Sequence, residues 1–365
     1  MAYKVLVLGG YGVFGSQICD ALARDANLAL TVAGRDPARG ERFAASLGAN
    51  FARLDATDPA SLRAALAATD LVINTAGPFQ IRGYELPELC IQGGRAYVDI
   101  GDGRGYVEGF GALDAAARAA GVFVCTGASS SPAITAALLE SLLPELGTLC
   151  SVRVALSAGN KNRPGLATIT SILSYVGAPV RVWEEGAWVT HRGWTMGTNE
   201  QFPAPVGRRR VQLCDTAELG LFPARYGAAR VVFRAGVELN LFNDAIGALG
   251  GLRRLVPAFH PDRLAAPLTR LSDLFKAFGS LAGAVAVWAT DADGRERGAA
   301  VVAPRNGPRV ASSPAVLLAR DLAAGRITQA GAFQGMGLLS VDALAAFLAP
   351  FDIFLARSED GHWTR

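Results

Sequence analysis

Lysine and histidine are both rare in this sequence, which has three residues of each type. The lysines are Lys4, Lys161 and Lys276, and the formal net charge of the chain is only +3. A nucleic-acid-binding face needs a broad basic patch with aromatic side chains for stacking. The densest basic cluster, at 208–210, has no such aromatic platform and is interpreted as a solvated strand end or as a partner for carboxylates. We therefore predict no nucleic-acid partner.

The spacing of the histidines and cysteines also gives no sign of a metal site or of a disulfide framework. The histidines are far apart, and neither a Cys-x-x-Cys nor a His-Glu-x-x-His motif occurs, so we predict no metal. The five cysteines are odd in number and lie mainly in apolar surroundings, which is typical of reduced thiols in a cytoplasmic protein. No apolar run approaches the ~18 residues of a membrane-spanning helix. Glycines interrupt the apolar N-terminus, which predicts a strand rather than a secretory signal.

The first part of the chain is predicted to be a doubly wound Rossmann domain over 1–126. The chain has 365 residues, 51% of them hydrophobic, enough for more than one buried core. Short apolar runs alternate with helical segments, the pattern of parallel strands joined by crossover helices. Strands are predicted at 4–8, 29–33, 50–54, 71–75, 96–100 and 122–125, with helices near 14–24, 37–47, 59–67, 83–93 and 111–120.

Beyond 126 the pattern changes, and we predict an α+β substrate or dimerisation domain with a mixed sheet over 127–330. An apolar helix at 132–143 is followed by longer alternating segments and by a hairpin turn at 184–186. Strands are expected around 150–156, 187–192, 208–213, 230–233, 284–289 and 299–303. Residues 331–365 are predicted to be a helical segment that can pack back on the Rossmann domain.

Residues 240–285 have leucine, phenylalanine, isoleucine and valine at helical spacing, with arginines between them. This pattern predicts one or two amphipathic helices. Packing on the domain's own sheet or in a homodimer interface is favoured for them. Peripheral contact with a membrane or with a carrier protein is the alternative, because basic amphipathic helices occur in both settings.

A Gly-x-Gly-x-x-Gly motif lies directly after the first strand and opens the first helix. Gly10 permits the tight turn, Gly12 lets a pyrophosphate approach the backbone, and Gly15 lets the helix pack on the strand. The N–H groups at the start of the helix face the phosphates. The predicted dinucleotide contacts in this loop are Gly10, Tyr11, Gly12, Val13, Phe14 and Gly15.

The end of the second strand decides between the two dinucleotides. A carboxylate at this place would hold the ribose 2′-hydroxyl of NAD(H), whereas the sequence has Gly34 and Arg35. Gly34 leaves room, and Arg35 can form a charge-assisted contact with a 2′-phosphate, which favours NADP(H). Asp36 keeps NAD(H) open as the alternative, because a shift of one residue would bring its carboxylate to the ribose.

Two further strand ends complete the predicted cofactor site. Asp55, after the third strand, can contact the adenine or cap the next helix, and the sequence favours neither. The fourth strand is followed by Ala76, Gly77, Pro78 and Phe79. The small residues among them allow close approach to the ribose and nicotinamide at the carboxyl edge of the sheet, where ligands bind in this class of fold.

Several segments together resemble a known family. They are GGYGVFG at 9–15, AGR at 33–35, INTAGPF at 73–79, YVDIGD at 97–102, GASSSPAIT at 127–135, GNKNRPGLAT at 159–168 and GPRVASSPAVLLARDL at 307–322. The chain resembles the saccharopine dehydrogenase-like oxidoreductases. This resemblance implies a Rossmann domain with an α/β substrate domain, and NAD(P)-dependent reduction or oxidation at a carbon bound to nitrogen. Relatives in the family also include reductases of lipid or polyketide intermediates.

The catalytic group is sought among a few polar residues. No Tyr-x-x-x-Lys pair, Gly-x-Ser-x-Gly elbow or close Cys/His pair occurs, which excludes the short-chain reductase relay and gives no sign of covalent catalysis. Asp99 and Asp102 end the fifth strand, so one of them can bind an amine cation or act as an acid. Tyr84 can donate a proton, and Lys161 can reach substrate from the second domain. Each of the last three residues also has a structural alternative. Asp102 can serve as a turn residue, Tyr84 can simply pack, and Lys161 can lie in an ordinary exposed loop.

Three functional hypotheses follow. The leading one is an NADP-dependent oxidoreductase that passes hydride to or from an imine or amino-acid adduct. The second is a reductase of C=C or C=O bonds in an acyl, polyketide or lipid intermediate, which the apolar residues at 240–285 would favour. The third is a non-catalytic NADP-binding sensor or scaffold. A cytoplasmic homodimer with a small-molecule substrate is expected in the first two cases.

Overall fold

The computed structural model describes residues 2–56, 58–162, 165–256, 258–275 and 277–365. The chain divides into two compact units. The first is Met1–Ile134 with Ala311–Leu344, and the second is Thr135–Val310 with Ala345–Arg365. These units differ from the predicted domains, whose boundaries lie at 126 and 330. Hydrophobic periodicity predicts helices and strands, but it does not show which distant segments pack together.

Strands and helices alternate along the first part of the chain in the predicted order, and the second part adds further strands and helices. The strands are β1 (Tyr3–Leu8), β2 (Leu28–Gly34), β3 (Asn50–Arg53), β4 (Leu71–Asn74), β5 (Ala96–Asp99), β6 (Phe123–Cys125), β7 (Leu149–Ala158), β8 (Pro179–Glu184), β9 (Ala187–Arg192), β10 (Thr198–Gln201), β11 (Arg208–Leu213), β12 (Arg230–Val237), β13 (Gly283–Asp291), β14 (Glu296–Ala303), β15 (Gly331–Phe333), β16 (Phe354–Glu359) and β17 (His362–Thr364). The helices are α1 (Val13–Leu22), α2 (Pro37–Ser46), α3 (Pro59–Leu66), α4 (Glu85–Gln92), α5 (Arg104–Gly109), α6 (Asp114–Ala119), α7 (Thr135–Leu142), α8 (Leu166–Tyr175), α9 (Glu218–Tyr226), α10 (Asn240–Leu255), α11 (Ala265–Ser272), α12 (Gly307–Ala323) and α13 (Val341–Leu348).

The first unit is built on a sheet in which every strand pair is parallel, in the order β15-β6-β5-β4-β1-β2-β3. The order β3-β2-β1-β4-β5-β6 is that of a doubly wound Rossmann sheet, so the predicted fold is confirmed. Val7, Val32, Ile73 and Val98 are fully buried, because helices cover both faces of such a sheet. The order reverses between β1 and β4, which brings the loops after these two strands together at the carboxyl edge.

The second unit contains a mixed sheet in the order β10-β11-β12-β7-β13-β14-β16-β17, with β8 and β9 attached to β12. The strands β7 and β12 are parallel, whereas β7 and β13 are antiparallel. The mixed sheet is therefore confirmed. The hairpin predicted around 184–186 is confirmed as well, since Glu184 pairs with Ala187.

The C-terminal segment corrects the sequence analysis. Residues 331–365 were predicted to be helical, but they contain β15, β16 and β17 besides α13. A strand as short as Gly331–Phe333 gives no periodic signal, and its pairing with β6 is a long-range contact. Helices α8 and α9 were not predicted, because the β-branched residues of α8 favour strands and α9 has Pro223 inside it.

Within the described residues, no helix is both long and apolar enough to cross a bilayer.

Candidate functional site

The loop after β1 is shaped so tightly that glycine is required at several positions. A Cβ at Gly15 would lie 2.3 Å from the carbonyl oxygen of Gly9, and a Cβ at Gly10 would lie 2.9 Å from that of Val7. Gly9 itself has a φ of +76°, which favours glycine. The backbone N–H of Gly12 donates to the Gly9 carbonyl at 2.8 Å and closes the turn. The loop backbone therefore packs against the start of α1 more closely than a side chain at Gly10 or Gly15 would allow.

Helix α1 begins at this loop without a side-chain cap. Gly12 takes the N-cap position with an extended backbone, no side chain hydrogen-bonds there, and the first turn has no acidic residue. The first N–H groups of a helix have no partner within the helix and carry the positive end of its dipole. Val13, Phe14 and Gly15 form this first turn, so the loop fits a pyrophosphate as the glycine motif predicts.

Tyr11 lies across the end of β2. Its hydroxyl accepts a hydrogen bond of 2.7 Å from the backbone N–H of Asp36. A Cβ at Gly34 would come within 2.5 Å of the tyrosine ring, so Gly34 is needed for this packing. The guanidinium of Arg39 lies 5.4 Å from the centre of the same ring. Arg39 is not among the residues predicted from the sequence. Only the first turn of α2 places it beside Tyr11 and the end of β2.

The carboxylate of Asp36 serves as the N-cap of α2. It accepts a hydrogen bond of 3.1 Å from the backbone N–H of Arg39, and Pro37 takes the first helical position. This is a common arrangement at helix starts and accounts for the acidic residue without a ribose contact. The neighbouring Arg35 is exposed at the carboxyl edge, where the 2′-phosphate was predicted.

Asp55 lies half-exposed just after β3. The N-cap of α3 is Asp58, whose carboxylate accepts hydrogen bonds from the N–H groups of Ala60 and Ser61 at 3.1 and 3.4 Å. The capping alternative for Asp55 is therefore wrong, since the helix begins three residues later than that alternative required. The predicted adenine contact of Asp55 stays a prediction.

The segment after β4 divides into a surface part and a buried part. Ala76, Gly77 and Pro78 are half-exposed at the carboxyl edge, and the N–H of Ala76 donates to Oδ1 of Asn74 at 3.0 Å. Phe79 is only 4% exposed, and its ring centre lies 5.3 Å from that of Tyr106. The first three residues can approach a dinucleotide, whereas Phe79 supports them from the core.

Asp99 is the last residue of β5 and is fully buried. Its Oδ2 accepts from the hydroxyls of Tyr97 and Tyr106 at 2.9 and 3.0 Å. Its Oδ1 accepts from the hydroxyl of Thr126 at 2.6 Å and from the N–H groups of Gly101 and Gly127 at 2.8 and 3.2 Å. Burial raises the pKa of Asp99, and the hydrogen bonds from Thr126, Gly101 and the tyrosines oppose that shift.

The contacts of Asp99 correct its assignment as a substrate ligand. A side chain with no exposed surface cannot meet an amine cation in solution or in a cleft. Its partner Tyr97 lies in β5, whereas Gly101 follows β5 and Thr126 follows β6. Tyr97 also accepts a hydrogen bond of 3.1 Å from Nδ2 of Asn74, at the end of β4. The carboxylate therefore holds three consecutive strand ends in register. The sequence gives no signal for this role, because these partners are brought together only by the sheet.

Asp102 and Tyr84 lie in the loops that follow β5 and β4. The carboxylate of Asp102 is half-exposed and accepts a hydrogen bond of 3.1 Å from Nε2 of Gln80. The hydroxyl of Tyr84 donates to the backbone carbonyl of Tyr106 at 2.7 Å, and burial together with the charge of Asp99 raises the pKa of Tyr84. Asp102 thus presents a polar group at the edge, whereas the Tyr84 proton is used in an internal hydrogen bond.

Lys161 belongs to the second unit and is exposed. Its backbone N–H donates to the carbonyl of Ser280 at 2.9 Å. The amide of Asn160 donates to the carbonyl of Phe278 at 3.0 Å, and that of Asn162 donates to Leu281 at 2.9 Å. The loop is therefore an ordered one that presents the lysine beside residues 278–281. Among the described residues, no group of three His, Cys, Asp or Glu side chains is placed to hold a metal ion.

The family comparison agrees with the geometry of the glycine loop. Residues 5–125 match the model of the saccharopine dehydrogenase NADP binding domain. This part of the chain is therefore similar to the NADP binding domain of that family. The resemblance seen in the sequence is thus confirmed for the cofactor domain, which is that of an NAD(P)-linked oxidoreductase family. No curated protein sequence matches the chain.

One solved structure extends the similarity to the fold of the whole chain. Saccharopine dehydrogenase (L-Glu forming) from Saccharomyces cerevisiae is 16% identical, with a TM-score of 0.72 and coverage of 100% of both chains. GenD2 from gentamicin A biosynthesis, solved in complex with NAD, is 19% identical over 78% of this chain and 69% of its own, with a TM-score of 0.37. Serine dehydrogenase from Escherichia coli is 18% identical over 34% of this chain and 80% of its own, with a TM-score of 0.28. The saccharopine dehydrogenase therefore has the same fold as this protein.

Proposed function

We propose that the protein is an NADP(H)-dependent oxidoreductase that transfers hydride to or from a carbon–nitrogen bond, as in an imine or an amino-acid adduct. The observation that carries the cofactor choice is the use of Asp36 as a helix cap beside the exposed Arg35. A carboxylate engaged at a helix start is a weak ribose ligand, and an arginine at this place suits a 2′-phosphate.

Arg39 strengthens the choice of NADP(H). Its guanidinium lies 5.4 Å from the centre of the Tyr11 ring, and Arg35 directly follows the last residue of β2, so both arginines belong to the region at the end of β2. Arginine binds phosphate through paired hydrogen bonds and keeps its charge at all physiological pH values. The exposed side chains of Arg35 and Arg39 are therefore proposed to bind the 2′-phosphate between them. The ring of Tyr11 is proposed to pack against the ribose.

The carbon–nitrogen substrate rests on the family of the cofactor domain and on the groups present at the carboxyl edge. Bound NADPH would supply the hydride. A protonated imine accepts hydride readily, so the protein mainly orients the substrate and provides one proton. Asp102 is half-exposed on this edge and is proposed to bind the amine cation. Lys161 remains a second, independent prediction for a substrate contact from the second unit.

The experiment that tests the cofactor proposal is calorimetric titration of the full chain with NADPH and with NADH. Arg35→Ala should weaken NADPH binding by about 1.5–3 kcal/mol and leave NADH binding nearly unchanged, because a charge-assisted contact is lost. Arg42→Ala, an exposed arginine on α2, is the matched control and should change neither. Equal loss in the two arginine variants, or a preference for NADH in the wild type, would contradict the proposal.

The reaction is tested by following NADPH oxidation with a panel of preformed imines and amino-acid adducts, and with enoyl thioesters beside them. Turnover of the imines supports the proposal. Turnover confined to the thioesters would favour a reductase of acyl intermediates, which the exposed Leu255 and Leu274 of the second unit make the second candidate. NADPH binding without turnover of either panel would leave a sensor or scaffold.

A further inference from the structure

Helices α10 and α11 of the second unit present much of their apolar surface to solvent. Of the sixteen residues of α10, Asn243 alone is buried, and Ala265 is the buried residue of α11. Amphipathic helices of a globular domain normally bury an apolar stripe on a core. These two helices bury that stripe only in part: Phe242, Ile246, Leu249 and Leu268 are half-buried, whereas Leu252, Leu255 and Leu271 are exposed to solvent.

The exposed apolar side chains are large and belong to elements that pack on one another. Leu255 is 80% exposed, Leu274 75% and Phe278 60%. Helix α11 packs on α8, which begins at the exposed Leu166, and α8, α10 and α11 all contact residues Pro261–Leu264. The loop of Lys161 is hydrogen-bonded to 278–281. We call the following set the apolar surface: Leu166, Leu255, Leu271, Leu274, Phe278 and Leu281. Single exposed leucines are ordinary, whereas a group of this kind marks an interaction site.

Basic residues accompany the apolar surface. Residues 245–281 contain four arginines and one lysine against two aspartates, Asp262 and Asp273. Arg254, Arg263 and Arg270 are exposed, and Lys161 extends the positive charge on the neighbouring loop. The surface thus combines protruding hydrophobic side chains with a net positive charge.

We propose that this surface docks on an anionic lipid membrane. The leucines and Phe278 would enter the boundary between headgroups and acyl chains, while Arg254 and Arg270 would meet lipid phosphates. A second copy of this chain is the less suitable occupant, because a two-fold contact through the same face would bring the positive groups of both copies together. The inference does not depend on the reaction proposed above.

The test is flotation of the full chain with phosphatidylcholine vesicles and with vesicles that also contain phosphatidylglycerol. Binding is expected to the anionic vesicles alone and should weaken as salt is raised, because salt screens the arginine–phosphate attraction. Replacing both arginines (Arg254→Glu with Arg270→Glu) should lower the partition at least about tenfold. The pair Leu255→Ser with Phe278→Ser should lower it comparably through the loss of apolar contact.

Matched controls separate the surface from the rest of the molecule. Arg63→Glu on α3 and Val189→Ser on β9 replace exposed residues of other elements and should leave vesicle binding unchanged. NADPH affinity, measured on every variant, reports folding independently of the membrane. Absence of binding to anionic vesicles, equal loss in the controls, a dimer broken by the leucine replacements without vesicle binding, or capture of a purified acidic carrier protein in place of vesicles would each overturn the proposal.

Discussion

The hydroxyl of Tyr11 accepts a hydrogen bond of 2.7 Å from the backbone N–H of Asp36. This contact joins the glycine loop after β1 to the end of β2, across Gly34. In Rossmann domains these two places hold the pyrophosphate and the adenosine ribose. The tyrosine therefore fixes the distance between the two halves of the proposed cofactor site, and it does so through a backbone N–H that Asp36→Ala would retain.

Gly34→Ala should weaken NADPH binding about tenfold or more. The added Cβ would come within 2.5 Å of the Tyr11 ring, so the ring must move from its place over β2. The double variant with Tyr11→Ala should recover part of the loss, because the small side chain leaves room for the methyl group. Calorimetry on the four members of this double-mutant cycle measures the coupling, and independent effects of the two changes would speak against the contact.

Gly15→Ala should abolish detectable NADPH binding and lower the free energy of unfolding by roughly 1–3 kcal/mol, as overpacking does. The new Cβ would lie 2.3 Å from the carbonyl oxygen of Gly9 and 2.8 Å from Cα of Gly10. Gly105→Ala is the control, since a Cβ there meets nothing within 4 Å. Because the residue lies inside α5, the replacement should raise the free energy of unfolding by roughly 0.5–1 kcal/mol. Chemical denaturation should therefore give shifts of opposite sign for the two variants.

Asp36→Ala should cost about 1 kcal/mol of stability through the loss of the α2 cap. It should not weaken NADPH binding, because the carboxylate is proposed to have no ribose contact. Asp58→Ala removes an equivalent cap from α3 and should cost a similar amount. Thermal unfolding and calorimetry test both statements together. Loss of dinucleotide affinity in Asp36→Ala alone would assign the ribose to this carboxylate and favour NAD(H).

The stability contribution of Asp99 should fall as pH rises. Burial raises the pKa of this carboxyl in the folded protein, so between its ordinary pKa and the raised one the folded state holds a proton that the unfolded state has lost. The contribution is complete below the ordinary pKa and is lost as pH passes the raised pKa. Asp99→Asn should remove this slope from a series of denaturation curves.

Asp114 provides the control of opposite sign. The hydrogen bond from Arg118 and the N–H of Ala332 lower the pKa of Asp114, so its contribution is present above the ordinary pKa and is lost as pH falls through the lowered one. Asp114→Asn should therefore flatten the acid side of the curve of stability against pH.

The prediction for Asp99 is contradicted if wild type and Asp99→Asn have identical pH profiles. Such a result would show that the buried carboxylate does not titrate differently on folding.

The cofactor domain is largely determined by local sequence. Each buried strand of a parallel sheet is a short apolar run, and the glycine loop follows the first of them directly. The positions of the strands along the chain and the phosphate loop are therefore predicted from neighbouring residues. The predicted strands agree with β1 to β6 within a residue or two at each end. Gly10, Gly12 and Gly15 needed no knowledge of distant contacts, because their constraint arises within the same turn.

Tertiary structure alone decided the rest. The burial of Asp99 depends on Thr126 and Tyr106, the choice of Asp36 as a cap depends on where α2 begins, and β15 joins the sheet from about two hundred residues away. The exposure of Leu255 and Phe278 likewise followed only from packing. Local propensity fixes which segments form strands and helices. Solvent access and long-range pairing are set by the folded chain as a whole, and no local pattern encodes them.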